Sequence, residues 1–172
     1  MHRRSFVKKS ALLGSGVLLA DELFAKVALA PINIAMIGCG DRGKGVLSVI
    51  QKMPSQFKTV AYCDVLDFRL EETKKYVPAS AIAIKDYKQI LDDKKVEAVF
   101  IATPLSEHFK IAKDAVLAGK AVYVEKTMTY NVEEALELRK LVKQYPKQVF
   151  QVGYQYRYSP LSTMTAGLRV KF

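Results

Sequence analysis

Cysteine is scarce in this chain of 172 residues. Only Cys39 and Cys63 occur, without metal-ligand spacing, so neither a disulfide framework nor a cysteine-built metal site is expected. Both fall at predicted strand ends, where small packing residues belong. The formal net charge is +10, yet no basic block carries it. Residues 1–30 hold +3, from Arg3, Arg4, Lys8, Lys9 and Lys26 against Asp21 and Glu22, and the remainder is dispersed. No nucleic-acid motif accompanies the charge, so no nucleic-acid partner is expected, and the basic balance suits attraction of phosphate-bearing small ligands. Repeats and low-complexity segments are absent. Half the residues are hydrophobic and 26% charged, the composition of a globular protein with room for one domain.

A long hydrophobic run is missing too. The uncharged stretch Ala11 to Ala20 is too short to span a bilayer and fits the core of a signal peptide. The paired arginines in Arg3-Arg4-Ser5-Phe6-Val7-Lys8 resemble a twin-arginine export signal, which implies periplasmic delivery of an already folded protein, its cofactor loaded beforehand. Ala28-Leu29-Ala30 offers a cleavage site, with Pro31 directly after it; Ala25 is a second site, and retention as a membrane anchor a third outcome. A basic N-terminal helix kept on a cytoplasmic protein is the alternative.

From residue 32 onward, short apolar runs alternate with helical patterns. Strands are predicted at Ile32 to Ile37, Thr59 to Cys63, Ala81 to Ile84, Val96 to Thr103, Ala121 to Val124 and Val149 to Gly153. Helices are predicted at Arg42 to Lys52, at Leu66 to Tyr76, from an N-cap at Ser106 to a stop at Gly119, and from a capping box at Asn131 and Glu134 to about Gln144. Strict alternation with short connections implies an α/β, doubly wound parallel sheet of six strands, the Rossmann arrangement.

The chemistry gathers at strand ends. Gly38-Cys39-Gly40-Asp41-Arg42-Gly43 is a G-x-G-x-x-G between the first strand and the first helix. The first glycine permits a tight turn, the second admits a diphosphate to the backbone, and the third lets helix and strand pack closely, while the helix N-terminus offers unpaired N–H donors. Asp64 ends the second strand, 21 residues past Gly43, where a carboxylate accepts from adenosine ribose hydroxyls and disfavours the additional phosphate of NADP. S-adenosylmethionine methyltransferases share these two features. The remaining strand ends discriminate: Thr103-Pro104 with His108, Glu125-Lys126, and Tyr154-Gln155-Tyr156-Arg157-Tyr158 all belong to one crevice of an open parallel sheet.

This set resembles the Gfo/Idh/MocA family, which includes glucose-fructose oxidoreductase and inositol dehydrogenase, over about Ile32 to Pro160. The family's Glu-Lys-Pro reads Glu125-Lys126-Thr127 here, with the charge retained and the proline gone. The resemblance implies NAD as cofactor, held by Gly38, Gly40, Asp41, Arg42, Gly43, Asp64, Thr103, Pro104, His108 and Glu125. It implies Lys126 as the catalytic residue beside nicotinamide and the reacting hydroxyl, and Gln155 and Arg157 toward substrate. No metal site is implied.

The resemblance also implies a second α/β domain that supplies the substrate pocket. Residues 161–172 are expected to form an irregular tail, so the chain reads as a truncated product, with exposed apolar surface favouring a homo-oligomer. The expected activity is hydride transfer from a sugar or polyol hydroxyl, with catalysis by this length of chain alone unexpected. An NAD-using glycosidase of the same superfamily and a non-catalytic dinucleotide-binding module are the alternatives.

Overall fold

A computed structural model describes residues 30–154. Residues 1–29, where the export signal is expected, Gln155, Arg157 and the expected tail lie outside the described residues.

Six strands form one parallel sheet: β1 (Ile32–Ile37), β2 (Phe57–Cys63), β3 (Ile82–Ile84), β4 (Ala98–Ile101), β5 (Ala121–Glu125) and β6 (Phe150–Gly153), in the order β3-β2-β1-β4-β5-β6. The order reverses between β1 and β4, so the loops after these strands part and leave a crevice at their carboxyl ends. The helices are α1 (Asp41–Ile50), α2 (Asp67–Thr73) continued by a 3₁₀ turn (Lys74–Tyr76), α3 (Tyr87–Asp92), α4 (Leu105–Leu117) and α5 (Val132–Gln144).

Side-chain alternation along β1 splits the core into two layers. Ala35 and Ile37 join Val99, Ile101, Val122 and Val124 beneath Ile111, Ala112 and Val116 of α4 and Leu138 of α5. Met36 points the other way, to Leu47 of α1, Tyr62, and Leu70 of α2. The central strands are apolar on both faces because helices cover both, as parallel crossovers require.

Element ends follow local chemistry. Gly119 terminates α4 with φ +75°, a conformation that glycine adopts without cost. Asn131 caps α5 by accepting from the Glu134 N–H at 2.8 Å, and Glu134 reaches back to the Tyr130 N–H at 3.0 Å, one residue before the expected partner. Ser106 is not the cap of α4. The helix starts at Leu105, with Pro104 in the cap position at φ −55°, ψ 146°; proline presets this φ and has no N–H to satisfy. Strand β4 is shorter than the apolar run around it, because the Val96 N–H is spent on a turn to Asp93 O at 3.1 Å. Strand β2 instead starts two residues earlier than its predicted Thr59, since Phe57 and Lys58 pair with Ile32 and Asn33. Helix α3 has no counterpart among the predicted elements.

Candidate functional site

The turn after β1 shows three glycines with three different reasons. Gly38 has φ +94°, and a Cβ there would stand 2.6 Å from the Ala102 carbonyl group and 2.7 Å from the Thr103 nitrogen. A Cβ on Gly43 would fall on the Gly38 carbonyl oxygen. Both positions must be glycine for the unliganded chain to pack. Gly40 has ordinary extended backbone, φ −68°, ψ −175°, and a Cβ would meet only the Arg69 guanidinium at 3.8 Å. Neither conformation nor packing demands glycine at Gly40, so its bareness leaves the backbone approachable from outside.

Helix α1 begins directly after Gly40, and no side chain caps it. Its first N–H groups have no partner within the helix and make a donor cluster suited to an anion. Asp41, at the first helical position, carries an exposed carboxylate paired with Lys44 at 3.2 Å.

Asp64 is 6% exposed at the tip of β2. Its Oδ2 accepts from the Cys39 N–H at 2.8 Å and its Oδ1 from the Leu66 N–H at 3.0 Å, with Arg69 Nη1 3.7 Å from Oδ2. The acid thus fastens the glycine turn to the second strand end. Cys39 and Cys63 flank it as buried thiols, Cys39 Sγ donating to Cys63 O at 3.4 Å. Burial foremost pushes them up to about 11 and about 12, so both stay protonated at neutral pH.

On the far side of the crevice, Thr103, His108, Glu125, Lys126 and Arg42 line a cleft of about 330 Å³. Thr103 Oγ1 is the one buried side-chain polar atom without a hydrogen-bond partner among the described residues. An orphaned hydroxyl in an open cleft fits a ligand that completes it. His108 is 2% exposed, its Nδ1 2.8 Å from Thr127 O and its Nε2 3.0 Å from Thr103 O. The ring therefore sits between the loop after β4 and the loop after β5, against a carbonyl of each, and its N–H donates to one of them. Pro104 lies exposed at the start of α4.

Glu125, 4% exposed, ends β5. Arg42 Nη2 lies 2.7 Å from its Oε1, and the Tyr123 hydroxyl donates to that same oxygen at 2.9 Å. Among the described residues its Oε2 has only the Lys126 N–H, at 3.3 Å. The hydrogen bond to Glu125 raises Arg42 above its ordinary value, and burial followed by the bond to Glu125 raises Tyr123, so both remain donors. Lys126 is exposed at the mouth, with no ion-pair partner among the described residues, and the Lys126–Thr127 peptide is cis.

The structure brings the expected residues from Gly38 to Lys126 to one edge of the sheet. Two further residues belong to it: Arg69, beside Asp64 and Gly40, and Tyr123. The signal for Tyr123 is strand periodicity, which puts residues 123 and 125 on one face. Arg69 lies on the first turns of α2, and nothing in its local sequence separates it from other surface arginines.

Comparison with known proteins places this geometry among relatives. A family model described as the Gfo/Idh/MocA oxidoreductase family, NAD-binding Rossmann fold, matches residues 32–154. An inositol 2-dehydrogenase/D-chiro-inositol 3-dehydrogenase of Lactiplantibacillus plantarum is 23% identical over 128 residues, covering 74% of this chain and 37% of the relative. A glycosyl hydrolase family 109 protein of Streptomyces filamentosus is 31% identical over 115 residues, 62% of this chain and 23% of the relative. The crystal structure of myo-inositol 2-dehydrogenase from Lactobacillus plantarum superposes with a TM-score of 0.72 at 28% identity, covering 80% of this chain and 40% of the other. The chain spans less than half the length of each of these relatives.

Proposed function

Because this chain belongs to the Gfo/Idh/MocA oxidoreductase family, we propose that it is the NAD-binding part of an enzyme that oxidises a secondary hydroxyl of a sugar or polyol by hydride transfer. The observation that carries this reading is the convergence on one sheet edge of a bare Gly40, two buried carboxylates and the unpartnered Thr103 hydroxyl. Bound NAD supplies the hydride acceptor. The chain's own groups bind and orient. Gly40 and the first N–H groups of α1 take the diphosphate. Asp64, already fixed by two backbone donors, retains lone pairs for the adenosine ribose, and Glu125 Oε2 offers an acceptor to the second ribose. The Thr103 hydroxyl gains its missing partner on the cofactor's side of the cleft. Lys126, exposed at the mouth, hydrogen-bonds the substrate oxygen and stabilises negative charge developing there.

The test is calorimetric titration of the chain with NAD. Wild type binds; Asp64→Ala weakens binding; Gly40→Val nearly abolishes it by blocking the backbone. Unchanged affinity in both variants overturns the assignment.

Similarity to a glycosyl hydrolase family 109 protein favours one second reading, an NAD-using glycosidase that oxidises and re-reduces its sugar. Net NADH formation from a polyol by the full-length protein rejects it, whereas glycosidic cleavage without NADH accumulation supports it.

For localisation, residues 1–30 support export of the folded protein to the periplasm by the twin-arginine route. Changing Arg3 and Arg4 together to lysine is expected to retain the protein in the cytoplasm in a fractionation assay. Unchanged export would reject the route.

A further inference from the structure

Three separate parts of the fold, α1, β5 and β6, meet at one carboxylate. Arg42 reaches Glu125 from the first turn of α1, and Tyr123 reaches it along β5. The Tyr123 ring is held by stacking on Phe100 of β4, with centroids 5.1 Å apart and planes 26° from parallel; Phe100 in turn meets Phe57 of β2 edge-on at 6.1 Å. From β6, Gly153 pairs with Glu125, and a Cβ on it would collide with the Tyr123 hydroxyl and come within 3.2 Å of Glu125 Oε1.

Withdrawing an ionised carboxylate from water is expensive unless donors replace the lost hydration. Here the replacement is lopsided: both strong donors fall on Oε1, while among the described residues Oε2 keeps a single long contact, to the Lys126 N–H, and Glu125 lines the cleft. A carboxylate gripped by one oxygen has a fixed plane, and its second oxygen has acceptor capacity to spare.

We infer that Arg42 and Tyr123 are positioning residues that lock Glu125 by Oε1 so that Oε2 is presented to a ribose hydroxyl of the nicotinamide half of NAD, and that Gly153 is glycine to leave room for this clasp. The inference deepens the function proposed above and rests on it. It separates the two halves of the cofactor site: Asp64 needs none of these side chains, so the adenosine half is independent of them.

The experiment titrates the full chain with NAD and with AMP, which probes only the adenosine half. Tyr123→Phe, which deletes one oxygen, is expected to weaken NAD roughly tenfold while leaving AMP within about twofold, the scale of one hydrogen bond to a charged group. Gly153→Ala, from another strand, is expected to give the same selective loss. In a Glu125→Ala background Tyr123→Phe is expected to add little, because its effect runs through the side chain that is then missing. Wild-type NAD affinity in Tyr123→Phe, a parallel loss of NAD and AMP, or full additivity with Glu125→Ala would each overturn the clasp. Wild-type chain that binds neither ligand would overturn the proposed function itself, and the clasp with it.

Discussion

Asp64 and Glu125 stand at the two ends of the same crevice, equally withdrawn from water, and are held by opposite means. Asp64 is gripped by backbone: the N–H groups of Cys39 and Leu66, both supplied by loops that β1 and β2 end in. Glu125 is gripped mainly by side chains, Arg42 from a helix and Tyr123 from its own strand, in space vacated by Gly153. A backbone-held acid is part of the fold and fails with it. A side-chain-held acid can be adjusted one atom at a time while the sheet stays intact.

The glycine turn is where this difference is easiest to break. Gly43→Ala drives a methyl into the Gly38 carbonyl, and Gly38→Ala combines positive φ with a backbone collision. Each is expected to cost about 3 kcal/mol or more in urea unfolding, or to prevent folding, because the atoms struck are backbone and have nowhere to go. Gly40→Ala is the contrasting case: unfolding is expected to match wild type within about 0.5 kcal/mol, while NAD affinity falls by about a hundredfold or more. A destabilised Gly40→Ala, or one that binds NAD normally, would contradict a glycine kept for the ligand.

Removing the acids themselves sharpens the comparison. Asp64→Ala leaves two loop N–H groups without their acceptor and is expected to destabilise by about 2–3 kcal/mol as well as weaken NAD. Glu125→Gln retains an acceptor for Tyr123 and Arg42, so its expected cost in stability is smaller, about 1 kcal/mol, with the loss concentrated in NAD binding. Equal destabilisation by the two substitutions would show that both acids serve the fold alike.

A third distinction follows from the thiols beside Asp64. Burial holds Cys39 and Cys63 at about 11 and about 12 instead of 9.0, so the native state keeps two protons that the unfolded chain releases first. Their contribution is fully present below pH 9 and is lost as pH rises through the folded values. Stability measured by urea unfolding is therefore expected to decline from about pH 9 upward, and Cys63→Ala is expected to flatten that decline. An alkaline limb identical in the variant would exclude the thiol as its source.

The Asp64 end was legible in the sequence because it depends on spacing: a strand, a glycine turn, a helix start, and an acid at the next strand tip. Parallel pairing of the strands was legible for a related reason, since alternating strands and helices with short links leave few other topologies. The Glu125 end was legible only as the pair Glu125-Lys126. That Arg42 would turn from the turn it belongs to and clasp Glu125 depends on β4 being the sole strand between β1 and β5, a matter of sheet order. His108 shows the same limit: its position pointed to the crevice, yet its ring lies buried between two carbonyls brought together by the loops after β4 and β5. Helix α3 escaped because six residues give too little periodicity for a helical pattern to show. The start of α4 slipped from Ser106 to Pro104 because proline's fixed φ outweighed a hydroxyl cap.

By itself the sequence determined which backbone segments become strands, where the chain must turn on glycine, and that an acid follows the second strand. These are consequences of hydrophobic period and of conformations that only certain residues adopt. Tertiary structure alone decided which side chains meet at Glu125, that Thr103 keeps an unused hydroxyl, and that packing does not require glycine at Gly40. Such facts arise from distances between residues far apart in the chain, and no local preference encodes them.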